Sequence, residues 1–126
     1  MNIPNDLKYT REHEWVKIDG NILTLGITDH AQSELGDIIF LEFPELNQMI
    51  SKDEPFGTIE AVKTVADLFA PVSGKILEIN EALENSPDLV NSDSYGQGWI
   101  VKITCNDDSE LDDLLDSEKY KRMITE

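Results

Sequence analysis

The sequence is short of most parts from which active sites are built. Its 126 residues include one cysteine, Cys105, and two histidines, His13 and His30. No Gly-x-Ser-x-Gly elbow accompanies the histidines, no glycine motif suits a phosphate, and no Cys/His spacing suits a metal. His13 precedes an apolar strand and His30 sits in a short polar helix, so each reads as an ordinary surface or packing residue. A lone cysteine cannot close an internal disulfide, which fits a reducing cytoplasm. Asp107 near Cys105 discourages a thiolate, so that thiol reads as incidental. Acidic residues are plentiful, but nothing singles out a catalytic pair. A non-catalytic protein is therefore expected.

Long apolar runs are also missing: every stretch is strand-sized and interrupted by Glu, Asp or Lys, so no membrane span is expected. Met1-Asn2-Ile3-Pro4-Asn5-Asp6 lacks both a basic-apolar leader and an Arg-rich amphipathic start, which leaves the cytoplasm as the expected location. Basic residues are scarce, 10 against 26 acidic ones, for a net charge of −16. Such a surface repels phosphate backbones and anionic lipid, which excludes nucleic acid and membrane as partners. The acidic field serves solubility or guides docking onto basic protein surfaces; composition leaves both open.

What is present is a mainly β pattern of one-domain size, residues 1–126, expected to be monomeric. Glu14–Ile18 and Ile22–Ile27 alternate as strands, with Asp19-Gly20 as the turn signal between them. Residues 28–35 read as a short helix, capped by Thr28 or Asp29 and followed by Gly36 in a left-handed position. Further strands are expected over 37–43, 56–62, 65–70, 75–79 and 99–104, with a polar loop containing Ser86-Pro87-Asp88 before the last. Residues 105–126 form an acidic helical tail packed on the domain: Ser109 caps a first helix with Asp112 completing a capping box, and Ser117–Ile124 forms a second. Gly36-Asp-Ile-Ile-Phe-Leu-Glu weakly echoes Gly74-Lys-Ile-Leu-Glu-Ile-Asn, as two similar half-barrels joined near Lys63 would.

Lys63 stands where two short strands meet. Val62 and Val65 restrict their own rotamers and hold the flanking backbone extended. A flexible four-carbon side chain on a rigid tip is a good base for a tethered arm, although most hairpin-tip lysines are inert.

Seven blocks in order carry a resemblance: Lys8–Val16, Gly26–Gln32, Leu35-Gly36-Asp37 through Pro44, Glu60-Ala61-Val62-Lys63, Ala70-Pro71-Val72-Ser73-Gly74, Val90-Asn91-Ser92 and Tyr95-Gly96-Gln97-Gly98-Trp99. Nearly end to end, the chain resembles the H proteins of the glycine cleavage system. It departs at Ala61, where the family usually has Ser, and at Ser94, where it usually has Pro. The resemblance implies the barrel-sandwich hybrid fold of lipoyl and biotinyl carriers: two antiparallel sheets, with short helices near 28–35 and at the C-terminus. It implies lipoic acid joined as an amide to Lys63, with Glu60, Ala61 and Val62 recognised by a lipoate ligase or lipoyl transferase. The amide removes the lysine's charge, so the modified form is one unit more negative.

The family's cycle implies three enzyme partners. These are a pyridoxal-phosphate glycine decarboxylase, a tetrahydrofolate-dependent aminomethyltransferase and an FAD dihydrolipoyl dehydrogenase. The arm shuttles the aminomethyl group of glycine and reducing equivalents among them. Glu14, Ala31, Leu35 and Asp67 match positions beside the cleft that shelters the loaded arm, where Glu14 and Asp67 would hold the cationic amine. The alternatives are a biotinyl carrier domain of a carboxylase, whose Glu-Ala-Met-Lys-Met pattern differs at Val62 and Thr64, and a relay protein donating lipoate to other complexes. A phosphopantetheine carrier would be helical and present Asp-Ser-Leu, which is absent.

Overall fold

The computed structural model describes residues 2–125; Met1 and Glu126, the ends of the expected domain and tail, lie outside the described residues. In chain order the elements are β1 (Lys8–Tyr9), β2 (Glu14–Asp19), β3 (Ile22–Ile27), α1 (Asp29–Leu35), β4 (Ile38–Glu42), β5 (Met49–Ile50) and β6 (Pro55–Ala61). They continue with β7 (Val65–Phe69), β8 (Gly74–Ile79), α2 (Ala82–Asn85), α3 (Leu89–Ser92), β9 (Val101–Thr104), a 3-10 helix (Asp108–Asp113) and α4 (Ser117–Thr125). Six strands form one sheet in the order β1-β2-β3-β9-β8-β5, and β4-β6-β7 form a second. Every pairing is antiparallel. The mainly β barrel-sandwich with short helices matches the expectation.

Strand alternation builds the core. Val16, Leu23, Leu25, Ile59, Leu68, Ile76, Val101 and Ile103 turn inward and are almost fully buried, each contributing roughly 1.5–3 kcal/mol. A second cluster, with Leu7, Tyr9, Trp15, Leu115 and Tyr120 at its centre, joins the N-terminal segment to the tail. There Tyr9 and Leu115 exchange two backbone hydrogen bonds of 2.8 Å, and the rings of Tyr9 and Tyr120 stack at 4.8 Å.

Several local details differ from the sequence reading. Asp19 pairs with Ile22, so the hairpin loop is Gly20-Asn21, one residue later than expected. Gly20 takes φ +63°, which a type II′ turn demands at its first loop position. The expected polar loop before β9 contains α2 and α3, which bury Leu83 and Val90. In the tail Asp107, not Ser109, caps the first helix, accepting from the Ser109 N–H. An aspartate side chain reaches the amide two residues on without needing the capping-box spacing. α4 starts at Ser117 as expected and runs one residue past the expected Ile124, with Tyr120 fully buried.

The two departures from the family pattern are accommodated. Ala61 is buried in the core. Ser94 donates its hydroxyl to the Val90 carbonyl at 2.6 Å, and its own carbonyl accepts the Trp15 indole N–H at 2.9 Å. The indole lies over Gly26, the cross-strand partner of Trp15. A Cβ on Gly26 would stand 2.5 Å from Trp15 Nε1.

Candidate attachment site and cleft

Lys63 occupies the tip of the β6–β7 hairpin. Glu60 pairs with Val65, and the Ala61 N–H donates to the Thr64 carbonyl at 2.8 Å. Val62-Lys63 is therefore a two-residue loop, and both side chains are exposed. A second tie comes from the residue before β4, because the Val62 N–H donates to the Asp37 carbonyl at 3.1 Å. Of the three expected recognition residues, Val62 is exposed and Glu60 half-buried, whereas Ala61 is 3% exposed and faces the core. Ala61 packs the hairpin base and offers little surface to a visiting enzyme.

The corner beneath Lys63 is held by hydrogen bonds. Thr28 caps α1, its hydroxyl accepting from Ala31 N, an arrangement worth about 1 kcal/mol. α1 ends at Gly36, whose φ of 83° is positive as expected; its ψ of −158° lies outside the left-handed helical region. That conformation is essentially confined to glycine. A Cβ there would also stand 3.4 Å from Lys63 Cε, so the lysine stem lies over bare glycine backbone. Asn91 locks the corner: its Oδ1 accepts from Ile38 N, and its Nδ2 donates to Gln32 Oε1 and the Gly36 carbonyl, each at 2.9 Å. The sequence blocks included Asn91 but gave it no role.

A cleft of about 300 Å³ opens beside this corner, with walls from the start of β2, α1 and β7. Glu14, Ala31, Leu35 and Asp67, scattered over more than fifty positions, all line it. Ala31 and Leu35 are one turn apart and share a helix face. Leu35 is followed directly by Gly36, so the cleft begins beside the Lys63 stem. Glu14 is buried at 4% exposure, while Asp67 is exposed.

Glu14 has an unusual environment. Its Oε2 accepts from Phe69 N at 2.7 Å, but its buried Oε1 has no hydrogen-bond partner among the described residues. Burial pushes its pKa up to about 8 against the pull of the Phe69 N–H. Burial thus favours the neutral acid over the carboxylate, a bias the sequence does not disclose. A cation brought to the free oxygen would favour the ionised form. Beyond Glu14 lies a larger cavity of about 570 Å³, whose lining includes the ion-paired Lys52 and Asp113.

The histidines are not isolated. His13 and His30 face each other at 4.9 Å between ring centres, and both line the cleft. His13 Nδ1 shares a 3.0 Å hydrogen bond with the Tyr120 hydroxyl, which lies 2.7 Å from Thr28 Oγ1. The tail is thereby tied to the α1 cap. Burial, then the charge of His30, lowers the His13 pKa. Each histidine adjoins an expected cleft residue, Glu14 or Ala31; that adjacency was the available signal.

Known proteins give the arrangement its family. The glycine cleavage H-protein family model matches residues 7–126. The glycine cleavage system H protein of Staphylococcus haemolyticus is 54% identical and that of Staphylococcus carnosus 55%, each over the full length of both chains. The crystal structure of a glycine cleavage system H protein from Mycobacterium marinum superposes with a TM-score of 0.87 at 34% identity, covering 98% of this chain and 100% of that one. The chain belongs to the glycine cleavage H-protein family.

Proposed function

We propose that this glycine cleavage H-protein carries its cargo on lipoic acid joined by an amide to Lys63. The observation that carries the reading is the joint placement of an exposed tip lysine and, starting beside its stem, a cleft whose lining includes the buried carboxyl of Glu14. When bound, lipoate supplies a disulfide that can be reduced while one sulfur holds a small fragment. The chain's own residues do the rest.

The Val62-Lys63 loop holds the anchor exposed at the hairpin tip, and Asn91 fixes the corner under it. Ala31 and Leu35 give the cleft an apolar wall that limits water. Glu14 and Asp67 supply acidic groups for a cationic amine, Glu14 from inside and Asp67 at the exposed side. Glu60 and Val62 present surface to the enzyme that acylates Lys63. Tethering raises the local concentration of the arm at each docked partner. The reading makes those partners the pyridoxal-phosphate decarboxylase, the folate-dependent aminomethyltransferase and the FAD dihydrolipoyl dehydrogenase. It gives the isolated chain no turnover of glycine, and it places the protein in a reducing cytoplasm, which the buried free thiol of Cys105 suits.

Intact mass tests the cargo. With a lipoate ligase, ATP and lipoate, the protein gains one lipoyl group; with a biotin ligase, ATP and biotin, its mass stays constant. An unchanged mass with a lipoate ligase that modifies another carrier would overturn the reading, and biotinylation would favour the biotin-carrier alternative.

A further inference from the structure

The outer face of the β4-β6-β7 sheet is apolar beside Lys63, for a reason visible in its register. Ile38 pairs with Ala61 and Phe40 with Glu60, so Ile39 is an extra residue at a β-bulge. In an unbroken strand Ile39 and Phe40 would point to opposite faces. Across the bulge both are exposed, at 49% and 55%. Phe40, Glu60 and Val65 then form one row across the three strands, because directly paired residues share a face. Val65 and Val62 are 59% and 69% exposed. All four apolar side chains lie within three residues of Lys63, or on the strand hydrogen-bonded to that segment. Such clustering, with a bulge re-aiming a side chain, marks an interaction surface.

We propose that Ile39, Phe40, Val62 and Val65 form the docking surface for the enzyme that acylates Lys63, an apolar face with a basic group opposite Glu60. The proposal rests on Lys63 being the acylation site. An enzyme acting on Lys63 Nζ must approach within the reach of one lysine side chain, and so must cover the collar around its base. Enzymes that process the far end of a long arm meet the collar only if they also grip the body. The collar is therefore matched to the acylating enzyme, and Glu60, in the same row as Phe40 and Val65, favours a basic approach surface.

The test compares Ile39→Ser/Phe40→Ser with the parent as substrates of a lipoate ligase, following Lys63 acylation by mass. Leu46→Ser/Met49→Ser, which removes exposed apolar groups elsewhere, is the control. The collar variant should lose about tenfold or more in kcat/KM, mostly through KM, as truncated interface anchors do. Its thermal midpoint should stay near that of the parent, because exposed substitutions cost little. Phe40→Ser alone carries the test if the double variant melts early. Equal rates for collar variant and parent overturn the docking proposal and leave the Lys63 reading intact. An equal loss in the control variant overturns it too, as does a variant acylated normally but impaired only with the dehydrogenase. A parent that is not acylated overturns the Lys63 reading itself.

Discussion

Glu14→Gln is expected to make the protein more stable than the parent at pH 8.5 while changing it little at pH 5. The cause is the buried carboxyl, whose pKa stands at about 8 in the fold, against roughly 4.3 in an unfolded chain. Between those values the folded state holds a proton that the unfolded state has released. Stability therefore falls as pH rises through that window, and the loss levels off above about 8. Glutamine keeps a carbonyl oxygen for the Phe69 N–H and cannot ionise, so its stability lacks this slope. The gap between variant and parent should open on the order of 3 kcal/mol from pH 5 to pH 8.5. Denaturant melts across that range measure it. A gap independent of pH would mean that Glu14 is already ionised in the fold.

Gly74→Ala should cost about 3 kcal/mol or more, a large fraction of the roughly 5–15 kcal/mol that holds a domain together. Gly74 opens β8, where it pairs with Ile50 of β5. A Cβ there would overlap the Thr104 carbonyl oxygen at the end of β9. Backbone cannot turn aside as a flexible side chain can, so the strands must separate. The same corner ties the tail to the sheet, since Ser73 N donates to Glu110 Oε1 at 2.8 Å. The thermal midpoint is expected to fall by about 10 °C or more. A calorimetric melt within 2 °C or so of the parent would show that the corner yields more easily than its geometry indicates.

The sequence disclosed the elements whose periodicity runs long enough to be read. β2, β3, β6, β7 and β9 show apolar residues in strand-like order, and α1 carries both a threonine cap and a terminal glycine. β1 and β5 are two residues each, too short for any period. α2 and α3 have four residues each, and they are held by burying Leu83 and Val90 rather than by local pattern. Ile38-Ile39-Phe40-Leu41 reads as a uniform apolar run, so its bulge and its outward pair were hidden until the register was known.

At the site, Lys63 was marked by its neighbours and by the family blocks. Glu14, Ala31, Leu35 and Asp67 follow from the family resemblance and from no local pattern, and the fold brings them to one cleft. The paired histidines, the Asn91 brace and the buried, unpartnered oxygen of Glu14 all arise from contacts between distant segments. No local pattern encodes them.

The most direct test of the account is where the cargo is attached. The parent and Lys63→Arg are incubated with lipoate ligase, ATP and lipoate, then measured intact and by fragment mapping. Lys63 should carry the single added group, and Lys63→Arg, folded with an unchanged melt, should carry none. Modification of Lys63→Arg, or of another lysine in the parent, would contradict the central claim.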